Sequence, residues 1–393
     1  MRITPRLRLY QNVHLNTKIR CPNGHLIFYV QELFSPKLCA ILTKNARSIG
    51  VVLRTLPFEF TMIERTPEYY HKFQCIASAC PDSCCQEWEV DLDPDTAARY
   101  QALSGALGDA LRSKMRTEDG TVYLTVTDRR CPMWRQDGLC EIQCQLGHDA
   151  LSHTCREFPR LRHDYGDFAE RGLELSCPAA AAWILSPEYQ TVLTVTLPDQ
   201  EEGDYDREAM DILLRSRETL LSFWEEAPYP TSKMLAVTLL YGHEVQSWLD
   251  GGDEPDFDPE ALWETANKLA LSGDIGSINA FFRDLDILTP RWQARLDAPT
   301  PGPWSKETAL FVRYALQRYH LQAVSDYDLI CRIKWIIVAC LLLRHLGGDF
   351  IKTAQLFSKE IENSADNMDA LFDGVYTSPA FTDRALLGLL TEK

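Results

Sequence analysis

Nine of the thirteen cysteines of this 393-residue chain fall between positions 75 and 177. They run as Cys75-x4-Cys80-x3-Cys84-Cys85, then Cys131-x8-Cys140-x3-Cys144-x10-Cys155, then Cys177. A chain of this length can bury a core large enough to fold without cross-links, so the cysteines need a reason other than stapling. The first 30 residues contain no apolar stretch leading to a small-residue cleavage site. The longest apolar run near the C-terminus, Trp335 to Leu343, is nine residues, against the roughly 20 needed to span a bilayer. A cytoplasmic protein without a transmembrane segment is expected, and in a reducing compartment clustered cysteines more often bind metal than pair with one another.

Thiolates are soft, negatively charged ligands suited to iron–sulfur clusters and zinc. Several of them close together repel unless a cation holds them. The alternative is a set of buried core cysteines, but Cys80-Pro81-Asp82-Ser83-Cys84-Cys85-Gln86-Glu87 is too polar for a core strand. Cys331 and Cys340 differ, since they sit in an apolar helical pattern and read as core. Structural zinc commonly uses two ligand pairs at x2–4 spacing, and the irregular spacing here, with its adjacent Cys84-Cys85, departs from that. One cluster needs four thiols, so eight or nine candidates imply either two centres or spare thiols.

The chain organises into three parts. Residues 1–61 hold nine Lys/Arg and two Asp/Glu, a local charge of +7, and show no capped helix. They read as an extension, non-native or disordered, with Met62 as a fresh beginning. Residues 62–180 form a small cysteine-rich metal domain with minor β structure. A helix is expected over Asp95 to Leu111, a strand over Thr121 to Thr127 and a short helix over Glu141 to Leu151. Residues 181–393 form a helical domain, with helices over Asp206–Glu225, Met234–Leu249, Leu262–Leu271, Lys306–Val324 and Leu329–Leu346. The fold class is mainly α. Residues 62–393 carry 31 Lys/Arg and 54 Asp/Glu, or −23, which disfavours nucleic acid and suits a lysine-bearing protein surface, although solubility alone explains such a charge.

Three stretches together resemble the flagellin lysine-N-methylase family. The first runs from Tyr69-Tyr70-His71-Lys72-Phe73 through Cys75 and Cys80-Pro81-Asp82-Ser83-Cys84-Cys85 to Trp88 and Asp91. The second is Cys140-Glu141-Ile142-Gln143, Leu146-Gly147 and Leu151-Ser152-His153-Thr154-Cys155, closed by Phe158-Pro159-Arg160 and Leu175-Ser176-Cys177-Pro178. The third is Phe357-Ser358-Lys359-Glu360-Ile361-Glu362-Asn363-Ser364, then Asn367. The cysteine part also resembles bacterial zinc- or iron-chelating domains with a CC pair. The resemblance implies a cytosolic enzyme that methylates flagellin lysine ε-amines from S-adenosylmethionine and carries a cysteine-bound [4Fe-4S] cluster, with zinc as the alternative metal. The metal ligands it implies are drawn from Cys75, Cys80, Cys84, Cys85, Cys131, Cys140, Cys155 and Cys177. Cys144 falls where the family has no cysteine.

The catalytic and methyl-donor residues are not legible. No Gly-rich turn follows a strand, and Ser104-Gly105-Ala106-Leu107-Gly108 lies in a helical pattern. Asp82, Glu87, Asp91 and Asp93 could accept the proton of a lysine ammonium, or could be loop carboxylates and caps. Tyr69, Tyr70, Trp88 and Trp134 could wall a lysine channel or belong to the core. Arg156 and Arg160 could meet the donor carboxylate or an anionic cluster, and His148, His153 and His163 are minor metal candidates. Two other classes compete: a metal-storage or delivery module, and a thiol redox sensor.

Overall fold

The computed structural model describes residues 18–20, 26–28, 61–86, 90–118, 120–198 and 203–391. The chain divides into two compact units, Met1–Phe60 and Thr61–Lys393. In the first, Lys18–Arg20 pairs antiparallel with Leu26–Phe28, and the remainder of that unit, with Cys21 and Cys39, lies outside the described residues.

The second unit is mainly helical, as the apolar periodicity predicts, with sixteen α-helices among the described residues. Its centre is Leu329–Leu346, in which every residue from Leu329 to Leu343 is buried. A helix apolar on all sides belongs inside a large core. Gly347 ends it at φ +63°, a conformation glycine adopts without steric cost. Gly242 lets the neighbouring Thr231–Leu249 helix approach closely, because a Cβ there would lie 3.0 Å from Ile333. Cys331 and Cys340 are buried in this core. Cys340→Ser should therefore cost about 1–2 kcal/mol in a denaturant titration and leave the metal content unchanged. No helix among the described residues is long and apolar enough to cross a membrane.

Two sheets complete the unit. In one, Thr61–Pro67 pairs in parallel with Phe168–Leu173 and antiparallel with Val192–Pro198, while Arg160–Asp164 extends the other side of Phe168–Leu173. This sheet packs on the large helical core through Phe168 and Leu173. The other sheet, Val90–Leu92, Thr121–Leu124 and Met115–Glu118, belongs to a separate small core with Tyr100, Leu111, Met133, Ile142 and Leu151.

The helix expected over Asp95–Leu111 is two helices, Pro94–Ala102 and Ala106–Lys114. Gly105 separates them at φ +84°, and the first is capped by Asp93, whose carboxylate accepts from Thr96 N. Likewise Gly147, at φ +86°, stops Glu141–Leu146 and a single turn, His148–Ala150, follows.

Candidate metal centre

The cysteine loops enter the structure between short elements, and of their eight cavity-lining cysteines only Cys131 is buried, while Cys75, Cys84 and Cys155 are exposed. Cys75 and Cys80 bracket the turn Ala77–Ala79 after the Glu68–Lys72 helix. The Cys84-Cys85 pair is tied to the next segment, where Cys131 N donates to Cys85 O at 2.9 Å. Cys140 directly precedes Glu141–Leu146, and Cys177 directly precedes Pro178–Ile184. Ser152 caps the short His153–Glu157 helix by accepting from Cys155 N at 3.3 Å.

Those eight cysteines, Cys75, Cys80, Cys84, Cys85, Cys131, Cys140, Cys155 and Cys177, all line one cavity of about 650 Å³. Cys144 is exposed and is not among its walls. Apolar side chains, among them Phe73, Leu92, Leu124, Met133 and Leu151, fill much of the remaining surface. Burial pushes most of these thiols up: Cys131 to about 12, and Cys155 and Cys177 to about 11. Cys84 and Cys85 share a hydrogen bond that raises Cys84 and brings Cys85 down to about 7. In metal-free protein at pH 7, iodoacetamide should therefore alkylate Cys85 ahead of Cys131 and Cys155, with peptide mapping as the readout.

The thiols fall into two neighbourhoods. Cys131, Cys140 and Cys155 each feel the charge of Cys85, and Cys85, Cys131 and Cys140 belong to the small core. Cys80 and Cys177 feel Cys75, and Cys177 packs against the large core. Cys84 adjoins both sets. Among the described residues, no group of three or more His, Cys, Asp or Glu side chains is placed to hold a single metal ion. The eight cysteines are spread around the wall of the cavity; thiolates of this kind are ligands for zinc and for iron–sulfur clusters alike.

A buried ion pair ties Asp82, in the cavity wall, to the C-terminal helices. Asp82 is 5% exposed and Lys359 1%. Lys359 Nζ lies 2.7 Å from Asp82 Oδ1, Arg291 Nη2 lies 2.8 Å from the same oxygen, and Gln355 Nε2 donates to Oδ2 at 3.0 Å. Burial pushes the Asp82 carboxyl up, but Lys359, Gln355 and Arg291 outweigh it and hold it below its usual value. Asp82 is thus engaged in an ion pair that ties its loop to the Phe350–Ile361 helix, in line with the loop-carboxylate alternative for it. The Phe350–Ile361 helix that supplies Lys359 and Gln355 is anchored in turn, since Leu288 N donates to Glu360 Oε2 at 2.7 Å and Asn367 Nδ2 donates to Glu360 O at 2.8 Å. The third resembling stretch, far along the chain, therefore braces the cysteine loop.

The other carboxylates sort by position. Asp93 accepts from His153 N and Thr96 N, which draw it down to about 2, so it is a cap. Asp91 is exposed on its strand, and Glu87 and Trp88 lie outside the described residues. Glu174 is the carboxyl that sequence reasoning missed. It lines the cavity, and burial raises its pKa against Arg318 while Glu362 adds to the rise. Its signal was faint, one glutamate two residues before Ser176-Cys177. Arg156, Arg160 and His148 line the cavity, with the Arg160 guanidinium 5.2 Å over the Phe73 ring. His153 is exposed, while Tyr69 and His163 line a different cavity. Tyr70 accepts from Arg171, and Trp134 lies under Arg130 at 4.0 Å.

Fold and site together define a mainly helical protein with a cysteine-lined centre braced from its C-terminal helices. No family model and no solved structure matches the chain. It is 36% identical over 135 residues to the flagellar biosynthetic protein FliU of Salmonella muenchen, a match covering 33% of this chain and 79% of that protein. It is 35% identical to the lysine-N-methylases of Salmonella typhimurium and Salmonella choleraesuis, over 135 and 138 residues. Those two matches cover 33% of this chain, and the chain spans only 33% of each lysine-N-methylase. The chain belongs to this flagellar lysine-N-methylase family.

Proposed function

We propose that the chain methylates lysine ε-amines from S-adenosylmethionine, with flagellin as acceptor, in the cytoplasm, and that its cysteine-lined cavity holds a [4Fe-4S] cluster. The observation that carries the reading is the gathering of eight thiols, from segments spread over about a hundred residues of sequence, around one cavity. The names of the relatives support the reaction and the flagellar substrate.

The ligands would come from Cys75, Cys80, Cys84, Cys85, Cys131, Cys140, Cys155 and Cys177. When bound, a cluster supplies a one-electron redox centre and a cationic core that keeps the thiolates deprotonated. Everything else falls to the chain. A lysine ammonium has no lone pair, and free Lys has a pKa near about 10.4, so the site must strip or disfavour that proton. The apolar walls around Phe73, Leu92 and Leu151 exclude water and destabilise the ammonium. Glu174, with its raised pKa, is the side chain suited to accept the proton.

Anaerobic purification followed by iron, sulfide and zinc counting tests the cofactor. About four iron and four sulfide per chain are expected for one cluster. Stoichiometric zinc without sulfide would replace the cluster by a zinc site. A metal-replete chain that never methylates would be a storage module.

A further inference from the structure

One row of side chains crosses all four strands of the larger sheet. His163 pairs with Glu170, Glu170 with Arg65, and Arg65 with Thr194. A sheet face packed under helices is ordinarily apolar, yet three of these four side chains are ionisable. All four line a second cavity, of about 390 Å³, in the size range of small-molecule sites. The Arg207–Glu226 and Thr308–Tyr319 helices cover it with Arg217, Glu218 and Arg318.

The charges in this cavity are not matched pair by pair. Glu170 accepts from Arg217 at 2.7 Å on each oxygen and from Arg65 at 3.2 Å, so two guanidiniums share one carboxylate. Arg318 approaches Glu362 at 3.9 Å and donates to the Tyr314 hydroxyl at 2.8 Å. His163 Nε2 is buried with no hydrogen-bond partner. Burial first, then Arg318 and Arg217, press the His163 pKa down, while the neighbouring Glu170 opposes them. A positive interior, an idle ring nitrogen, and an exposed carboxylate, Glu218, at the edge suit a zwitterion. The cavity also neighbours the cysteine site along the chain: Leu161 and Leu173 line this cavity, and the adjacent Arg160 and Glu174 line the other.

We propose that this cavity binds the α-amino carboxylate end of the methyl donor, with Arg318 and His163 receiving the carboxylate and Glu218 the ammonium. The assignment rests on the methyltransferase reading above. The test is isothermal titration of the metal-loaded full chain with S-adenosylhomocysteine, the demethylated donor. His163→Leu removes the ring nitrogen, and Thr194→Trp, at an exposed strand position, blocks the cavity without touching the core. Both variants should bind about tenfold or more weakly, the scale of one lost polar contact to a charged ligand. Iron content and denaturant midpoint of Thr194→Trp should stay at wild-type values. Wild-type binding that neither variant weakens would overturn this assignment alone and leave the reaction standing. No binding by the metal-loaded wild-type chain would overturn the donor reading and this site with it.

Discussion

Asp82→Ala should destabilise the protein by about 3–5 kcal/mol, because it removes the buried carboxylate that Lys359 and Arg291 share. The two side chains are 3% and 1% exposed, so solvent does not replace the lost contact. Lys359→Met should cost less, since Arg291 and Gln355 still face Asp82. The double variant Asp82→Asn with Lys359→Met should recover part of the loss, as expected of a coupled pair. The pH dependence has a definite sign. The Asp82 pKa is depressed in the folded state, so its contribution is complete above the unfolded carboxylate value of about 3.9 and is lost as the pH falls through the lower folded value. Denaturant titrations of wild type and variants at neutral and acidic pH measure this. Equal stabilities at neutral pH would mean that the pair does not brace the cysteine loop.

The second large effect concerns the adjacent cysteines. Cys84→Ser and Cys85→Ser should each remove most of the bound iron and abolish methylation, because a hydroxyl is a poor ligand for a soft metal. Cys85 sits among Cys131, Cys140 and Cys155, whereas Cys84 adjoins both thiol neighbourhoods, so each substitution removes a different donor. Cys144→Ser, at an exposed position away from the cavity, should leave iron content unchanged. Iron and sulfide counts on anaerobically purified variants decide this. Iron lost from Cys144→Ser but retained by Cys84→Ser would invalidate the assignment.

The eight cysteines that line the cavity stand out in the sequence because thiol chemistry is carried by residue type and spacing, and it needs no knowledge of the fold. The long helices were legible for a similar reason, as in Leu329–Leu346, where the apolar run and the following Gly347-Gly348 mark the element and its end. The four-stranded sheet was not. Arg160–Asp164 reads RLRHD and Phe168–Leu173 reads FAERGL, and the polar row through His163 and Glu170 breaks the alternation that announces a strand. Val192–Pro198 does alternate, but its partner Thr61–Pro67 lies more than a hundred residues earlier. The Asp82–Lys359 pair spans 277 positions, so neither residue alone could reveal it. Gly105 and Gly147 each looked tolerable inside a helix, and only their positive φ shows them to be breaks.

The central claim is lysine methylation by a cysteine-held centre. Its most direct test incubates the anaerobically purified, metal-loaded full chain with flagellin and methyl-labelled S-adenosylmethionine, then maps the label by mass spectrometry. The account predicts one methyl on the ε-amine of particular flagellin lysines, and none when the metal is first removed. Unlabelled flagellin after incubation with the metal-loaded chain, or equal labelling with and without the metal, would contradict it.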